Sequence, residues 1–174
     1  MVIWFTGMSG SGKSTLAINL LRYFEKIGKR VKTLDGDVIR SKKERDDFSK
    51  SNILKNNLTI IRLCADLLND FDIILVSVIA PFESTRKKAR EILGSQYFEI
   101  YVKANIDELI KRDTKGLYRK ARNGEIKNLI GVAKNTPYET PRIPNIVIKT
   151  DRESVDNCVL KIIKAFEVYI NTIV

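Results

Sequence analysis

Two short stretches combine residue types whose spacing points to chemistry on phosphates. Gly7 to Ser14 reads GMSGSGKS and matches G-x-x-x-x-G-K-[ST]. In such a loop, successive backbone N–H groups and a helix N-terminus surround a phosphate, the lysine reaches the β/γ oxygens, and the hydroxyl binds Mg2+. Gly7, Ser9, Gly10, Ser11, Gly12, Lys13, Ser14 and Thr15 are therefore the expected contacts to ATP, with Ser14 on the metal. Glycines are needed because side chains would block the approach of the backbone. Leu34 to Arg40 reads LDGDVIR, where Asp35 and Asp37 flank a glycine. A carboxylate near the γ-phosphate can accept the proton of an attacking hydroxyl or orient Mg2+, and Arg40 could hold an anionic group of the acceptor. Asp35, Asp37 and Lys13 are the catalytic candidates, with Asp37 placed beside Ser14 as a metal ligand.

These residues need a scaffold that brings the two stretches together. Val2 to Thr6 (VIWFT) is a short apolar run ending at Gly7 and reads as a buried strand. Leu16, Leu20, Phe24 and Ile27 recur at helical spacing before Gly28, which predicts a helix from about Lys13 to Ile27. A strand over Arg30 to Asp35 follows, then a helix carrying Leu54, Leu58, Ile61, Ala65 and Leu68. The unbroken apolar run Asp72 to Phe82 predicts a strand buried on both faces. A helix over Ser84 to Leu93, a strand over Tyr97 to Val102, a short helix around Asp107 to Lys111, a strand over Ile146 to Lys149 and a closing helix complete the series. Alternation of this kind predicts an α/β fold, a parallel sheet with helices on both faces. Ligands then collect at the carboxyl ends of the strands, where both stretches fall.

Lys115 to Arg142 departs from the pattern, being basic and rich in Gly, Asn and Pro, and reads as a mobile excursion. Its cations Lys115, Arg119, Lys120, Arg122 and Lys127 suit a lid over about 114–142 that closes on polyphosphate and excludes water. Arg112 joins Lys115, Arg119 and Arg122 as the cations expected around the nucleotide. No N-K-x-D motif occurs, and DTKG (Asp113 to Gly116) follows a helical pattern instead of ending a strand, which argues against a GTPase.

Composition narrows the field further. The chain has 174 residues, 31 Lys and Arg against 21 Asp and Glu, a formal charge of +10 and no histidine. Length predicts a single domain over 1–174, and the charge an anionic partner. His-based catalysis and His metal sites are excluded. Cys64 and Cys158 fall at apolar helix positions without metal-like spacing, which suits core packing and a reducing, cytoplasmic setting. No stretch approaches the roughly 20 apolar residues of a bilayer span, so no membrane partner is expected. A nucleic-acid-dependent ATPase would show a basic groove with interleaved aromatics, and the single basic segment argues against a nucleic-acid partner.

The motifs WFTGMSGSGKST, LDGDVIR, DFS, VSVIAPF, KGLYRKAR, GEIKNLIGV and PYETP occur together in an order that resembles the adenylylsulfate (APS) kinase family. The resemblance implies a P-loop kinase that moves the γ-phosphoryl of ATP to a ribose 3'-hydroxyl of a small nucleotide, and it suggests a homodimer. It places Asp35, Arg40, Phe48 (against the base) and Asn56 at the acceptor, with Ser77, Val78 and Ile79 in a neighbouring loop. Lys115, Gly116 and Leu117 complete that side. Two departures stand out. Asn52 and Ile53 replace the family's usual Asp-Arg pair, and Leu129 replaces a phenylalanine expected on the base. Loss of a charge-assisted contact weakens binding by about 1.5 to 3 kcal/mol. Ile53 and Leu129 thus point to a changed acceptor, like the cytidine diphosphoramidate used by relatives in capsular polysaccharide modification. The alternative is adenylylsulfate itself, giving 3'-phosphoadenylylsulfate.

Overall fold

The computed structural model describes residues 1–39 and 49–173. Arg40 and Phe48 lie outside the described residues, as does the side chain of Asp37. Five strands form one parallel sheet: β1 (Val2–Thr6), β2 (Val31–Asp35), β3 (Ile73–Ser77), β4 (Tyr97–Lys103) and β5 (Ile146–Lys149), in the order β2-β3-β1-β4-β5. The glycine-rich loop leaves central β1 and enters α1 (Lys13–Lys26). α2 (Gly36–Ile39) and α3 (Lys50–Leu67) follow β2, and α4 (Glu83–Leu93) follows β3. α5 (Ile106–Arg112) and α6 (Leu117–Arg122) lie between β4 and β5, and α7 (Val155–Ile173) ends the chain.

Alternation along each strand sorts side chains onto two cores. Ile3 and Phe5 of β1 join Leu16, Leu20 and Phe24 of α1 and Ile162 and Phe166 of α7 on one face. Val2 and Trp4 join Ile60, Ile61 and Cys64 of α3 and Ala89 and Leu93 of α4 on the other. Every residue of β1 and β3 is buried, as their continuous apolar runs require. Both cysteines are free and buried, and burial pushes the Cys64 thiol up to about 12. No described helix is long and apolar enough to cross a membrane.

Two elements differ from the sequence reading. The apolar run Asp72 to Phe82 is strand only over Ile73–Ser77. Beyond it Ala80 takes φ 42°, outside extended backbone, and Pro81 has no N–H for a ladder. The second difference is the basic segment, read from sequence as an excursion outside the core, which contributes core side chains. Tyr118 and Leu129 pack with Leu109, and Ile130 packs with Ile53 and Phe82. The Tyr118 hydroxyl donates to the Ser9 carbonyl at 2.8 Å, pinning α6 to the glycine-rich loop.

Candidate active site

α1 begins directly after Gly12, which sits at φ 98° with no side-chain cap on the helix. Its first N–H groups therefore face the loop's interior, as an anion site requires. Lys13 is nearly buried and donates to the carbonyls of Gly7 (2.9 Å) and Met8 (2.8 Å), which holds its ammonium inside the loop. Thr150, just past β5, donates to the Ser11 carbonyl at 2.7 Å. Arg112 donates to the Thr150 carbonyl at 2.8 Å and reaches the Gly10 carbonyl at 3.5 Å. The end of α5 and the end of β5, both distant in sequence, thus brace the loop. Thr150 belongs to no motif, and its one sequence signal is its place after a predicted strand whose end arrives beside the phosphates.

Asp35 and Ser77 are register partners at the carboxyl ends of β2 and β3. The Ser14 hydroxyl donates to Asp35 Oδ2 at 3.0 Å. Asp35 is thus one aspartate of LDGDVIR in contact with Ser14, while the side chain of Asp37 lies outside the described residues. Ser77 Oγ is buried and has no hydrogen-bond partner among the described residues. Such an orphaned hydroxyl on the wall of a cavity suits a polar ligand.

These groups surround a cavity of about 910 Å3. Ser9, Gly10, Gly12, Lys13, Ser14 and Thr15 line it, together with Asp35, Ser77, Val78, Ile79, Arg112, Lys115 and Leu117. Gly7 and Ser11 do not border it: Gly7 lies against Val102, and Ser11 faces Lys13 and Thr150. Among the lid cations, Lys115 and Lys120 border the cavity and Arg119 and Arg122 do not. Gly116, at φ 66°, caps α6 without lining the cavity. A second pocket of about 180 Å3 holds Ile53, Lys55 and Asn56 and shares the wall Gly36, Val78 and Ile79 with the first. Leu129 lines neither pocket and is 2% exposed.

The DTKG stretch has a structural role. Asp113 accepts from the N–H groups of Tyr118 and Arg119, both at 3.0 Å, and so caps α6 at the mouth of the cavity. Burial works to raise its carboxyl pKa, but the Arg119 and Tyr118 N–H groups outweigh that and hold it below the usual range. A depressed folded pKa gives stability that is present above the unfolded value, near 3.9, and lost as pH falls through the folded one. Asp113→Ala is expected to lower Tm at neutral pH, with the difference from wild type shrinking below about pH 4. A thermal melt series from pH 7 to 2 checks this, and a pH-independent difference would show that the cap is not the cause.

The protein-family model described as Adenylylsulphate kinase matches residues 1–149. The adenylyl-sulfate kinase of Halothermothrix orenii is 41% identical over 173 residues, covering 96% of this chain and 89% of that protein. That of Clostridium acetobutylicum is 41% identical over 164 residues, covering 94% and 81%. The structure of the Mycobacterium tuberculosis APS kinase CysC in complex with AMPPNP and APS superposes with a TM-score of 0.87 at 32% identity, covering 95% of this chain and 96% of that one. These findings overturn the expectation of a cytidine diphosphoramidate acceptor and of a capsule pathway. Of the two departures behind it, Leu129 is a packing residue, while Ile53 packs in the core and also borders the second pocket. Leu129 is buried with Leu109 and Tyr118, away from both pockets, and Ile53 packs with Phe82 and Ile130 where Lys55 borders the same pocket. The chain belongs to the adenylylsulphate kinase family of ATP-dependent phosphotransferases that act on a hydroxyl group.

Proposed function

We propose that this protein is an adenylyl-sulfate kinase, transferring the γ-phosphoryl of ATP to the ribose 3'-hydroxyl of adenylylsulfate. The observation that carries the reading is the pair of pockets divided by one wall, with the Ser14–Asp35 contact on the larger side. The phosphate loop opens into the larger cavity, which takes ATP. The smaller pocket, bordered by Asn56 and the cation of Lys55, takes part of the acceptor. Likeness to the complex carrying both AMPPNP and APS supports this division.

Transfer forms a bond from the acceptor O3' to the γ-phosphorus and breaks the bond to the β–γ bridging oxygen, so ADP leaves. Lys13 and the loop N–H groups hold the β- and γ-phosphates, and Lys115 and Lys120 add positive charge at the cavity mouth. A hydroxyl and a carboxylate oxygen 3.0 Å apart fit Mg2+ as oxygen donors, so Ser14 and Asp35 would hold it. Among the described residues no group of three or more acidic or cysteine side chains forms an alternative metal cage. When bound, Mg2+ neutralises charge on the transferring phosphoryl group. Asp35 either holds that ion with Ser14 or takes the proton of the 3'-hydroxyl. A homodimer in a cytoplasmic setting completes the reading; one neighbour of 28% identity and TM-score 0.67 is described as a hexameric APS kinase. Light scattering of the purified chain decides the oligomeric state.

The direct test is ADP release from Mg-ATP with and without adenylylsulfate, followed by phosphorus NMR of the product. Acceptor-dependent release with a new phosphate monoester on the 3' oxygen is expected. Absence of turnover with adenylylsulfate while ATP still binds would overturn the proposal.

A further inference from the structure

Arg86 is completely buried on α4, yet it borders neither pocket. Its guanidinium sits among Glu83 (2.6 Å) and Glu99 (3.5 Å), and Arg90 pairs with the same two carboxylates. A buried ion network of this kind is seldom a net source of stability, because desolvation offsets the attraction. Two of the Arg86 donors go elsewhere. Nη1 donates to the Ala80 carbonyl at 2.6 Å, and Nη2 donates to the Glu139 carbonyl at 2.7 Å.

One carbonyl belongs to the loop that borders the second pocket, the other to the end of the lid segment. Ala80 sits at φ 42° in the loop whose residues Val78 and Ile79 form the wall between the pockets. Left-handed backbone at a non-glycine residue persists only when its surroundings hold it there. Glu139 lies in PYETP, the motif that closes the lid segment and that no step of the transfer uses. The same motif holds the loop once more directly and twice through its neighbours Glu83 and Thr6. The Glu139 N–H donates to the Pro81 carbonyl at 2.8 Å, and Glu139 Oε2 accepts from the Glu83 N–H at 2.6 Å. Tyr138 shares a 3.0 Å hydrogen bond with the Thr6 hydroxyl, which itself donates to the Ile79 carbonyl at 2.6 Å. The Arg86 guanidinium carbon lies 5.9 Å from the centre of the Tyr138 ring, so the two grips form one unit.

We propose that Arg86 and Tyr138 are positioning residues that clamp the Val78–Pro81 loop to the end of the lid segment and thereby set affinity for the acceptor. The inference rests on the adenylylsulfate reading for its acceptor, and it does not involve the phosphate loop. Arginine suits the role because its planar fork can serve two carbonyls and two carboxylates at once, which a lysine ammonium cannot.

The test uses Arg86→Lys and Tyr138→Phe in the full chain, with KM for ATP and for adenylylsulfate measured separately. Hydrogen exchange at the amides of Ile79, Ala80 and Phe82 is followed without substrates. Arg86→Lys is expected to raise the acceptor KM tenfold or more, and Tyr138→Phe threefold or more, with KM for ATP within twofold. Exchange at the three amides is expected to speed up at least tenfold in Arg86→Lys and at least threefold in Tyr138→Phe, while the glycine-rich loop is unchanged. A general loss of stability would raise both KM values together, and that result, or unchanged values with unchanged exchange, overturns the clamp. If Arg86→Lys does not fold, Tyr138→Phe decides, since it removes one hydroxyl and keeps the ring. If the wild type does not turn over adenylylsulfate, the proposed function fails, and the exchange data still decide whether the clamp holds the loop.

Discussion

Asp35→Asn is expected to lower kcat by about 100- to 10,000-fold, a loss of about 3 to 5 kcal/mol of transition-state stabilisation, while ATP binding persists. The substitution is nearly isosteric. Its amide oxygen can still accept from Ser14, which lies 3.0 Å away in the wild type, so the local fold has no reason to change. What disappears is the negative charge at the end of β2, opposite Ser77. That charge has two possible uses, and kinetics separate them. If Asp35 holds Mg2+ with Ser14, the variant needs a higher Mg2+ concentration for half-maximal rate. If Asp35 takes the proton of the acceptor hydroxyl, the Mg2+ dependence is unchanged and the acid limb of the pH–rate profile flattens. Turnover within fivefold of wild type would remove Asp35 from both roles and leave the chemistry to Asp37.

The parts of this site that were legible in the sequence are those whose contacts are local. GMSGSGKS carries its own geometry, because the strand before it and the helix after it are neighbours in the chain. The parallel sheet was legible from continuous apolar runs, since a strand covered on both faces has no polar side to show. Asp35 was found as one of two candidates, but its contact with Ser14 across 21 residues was not singled out, because two aspartates flanking one glycine look alike in sequence. Thr150 was missed for the same reason on a larger scale, its contact with Ser11 spanning 139 residues. Arg86 carries no motif in the sequence and lies three residues after Glu83. Nothing local reveals that Glu99, Ala80 and Glu139 converge on it. Leu129 shows the opposite error, since a departure from a family pattern reports a change of residue without reporting whether the side chain faces a ligand or the core.

Gly7→Ala is expected to abolish measurable ATP binding and to lower stability by about 3 kcal/mol, the upper part of the range for an overpacked site. A Cβ at this position would lie 2.3 Å from the Val102 carbonyl oxygen and 2.8 Å from Ser11 Oγ. The Val102 oxygen is main chain of β4, which pairs with β1 from Val2 through Thr6, so neither side can yield without prying the two strands apart. The loop has to rise instead, and the Gly7 carbonyl that holds Lys13 at 2.9 Å rises with it. At roughly 2 to 4 °C per kcal/mol for a chain of this size, Tm should fall by about 6 to 12 °C. Gly28→Ala is the control that separates space from backbone freedom. Gly28 sits at φ 77° with nothing within 4 Å of an added Cβ, so its substitution strains the backbone and touches no neighbour. It should cost about 1 kcal/mol and leave ATP binding unchanged, because α1 has already passed the phosphates by the time the chain reaches it. Calorimetric titration with ATP and thermal melts of both variants give the comparison. Equal effects of the two would mean that strain, and not the close approach of β4, explains the need for glycine at the start of the loop.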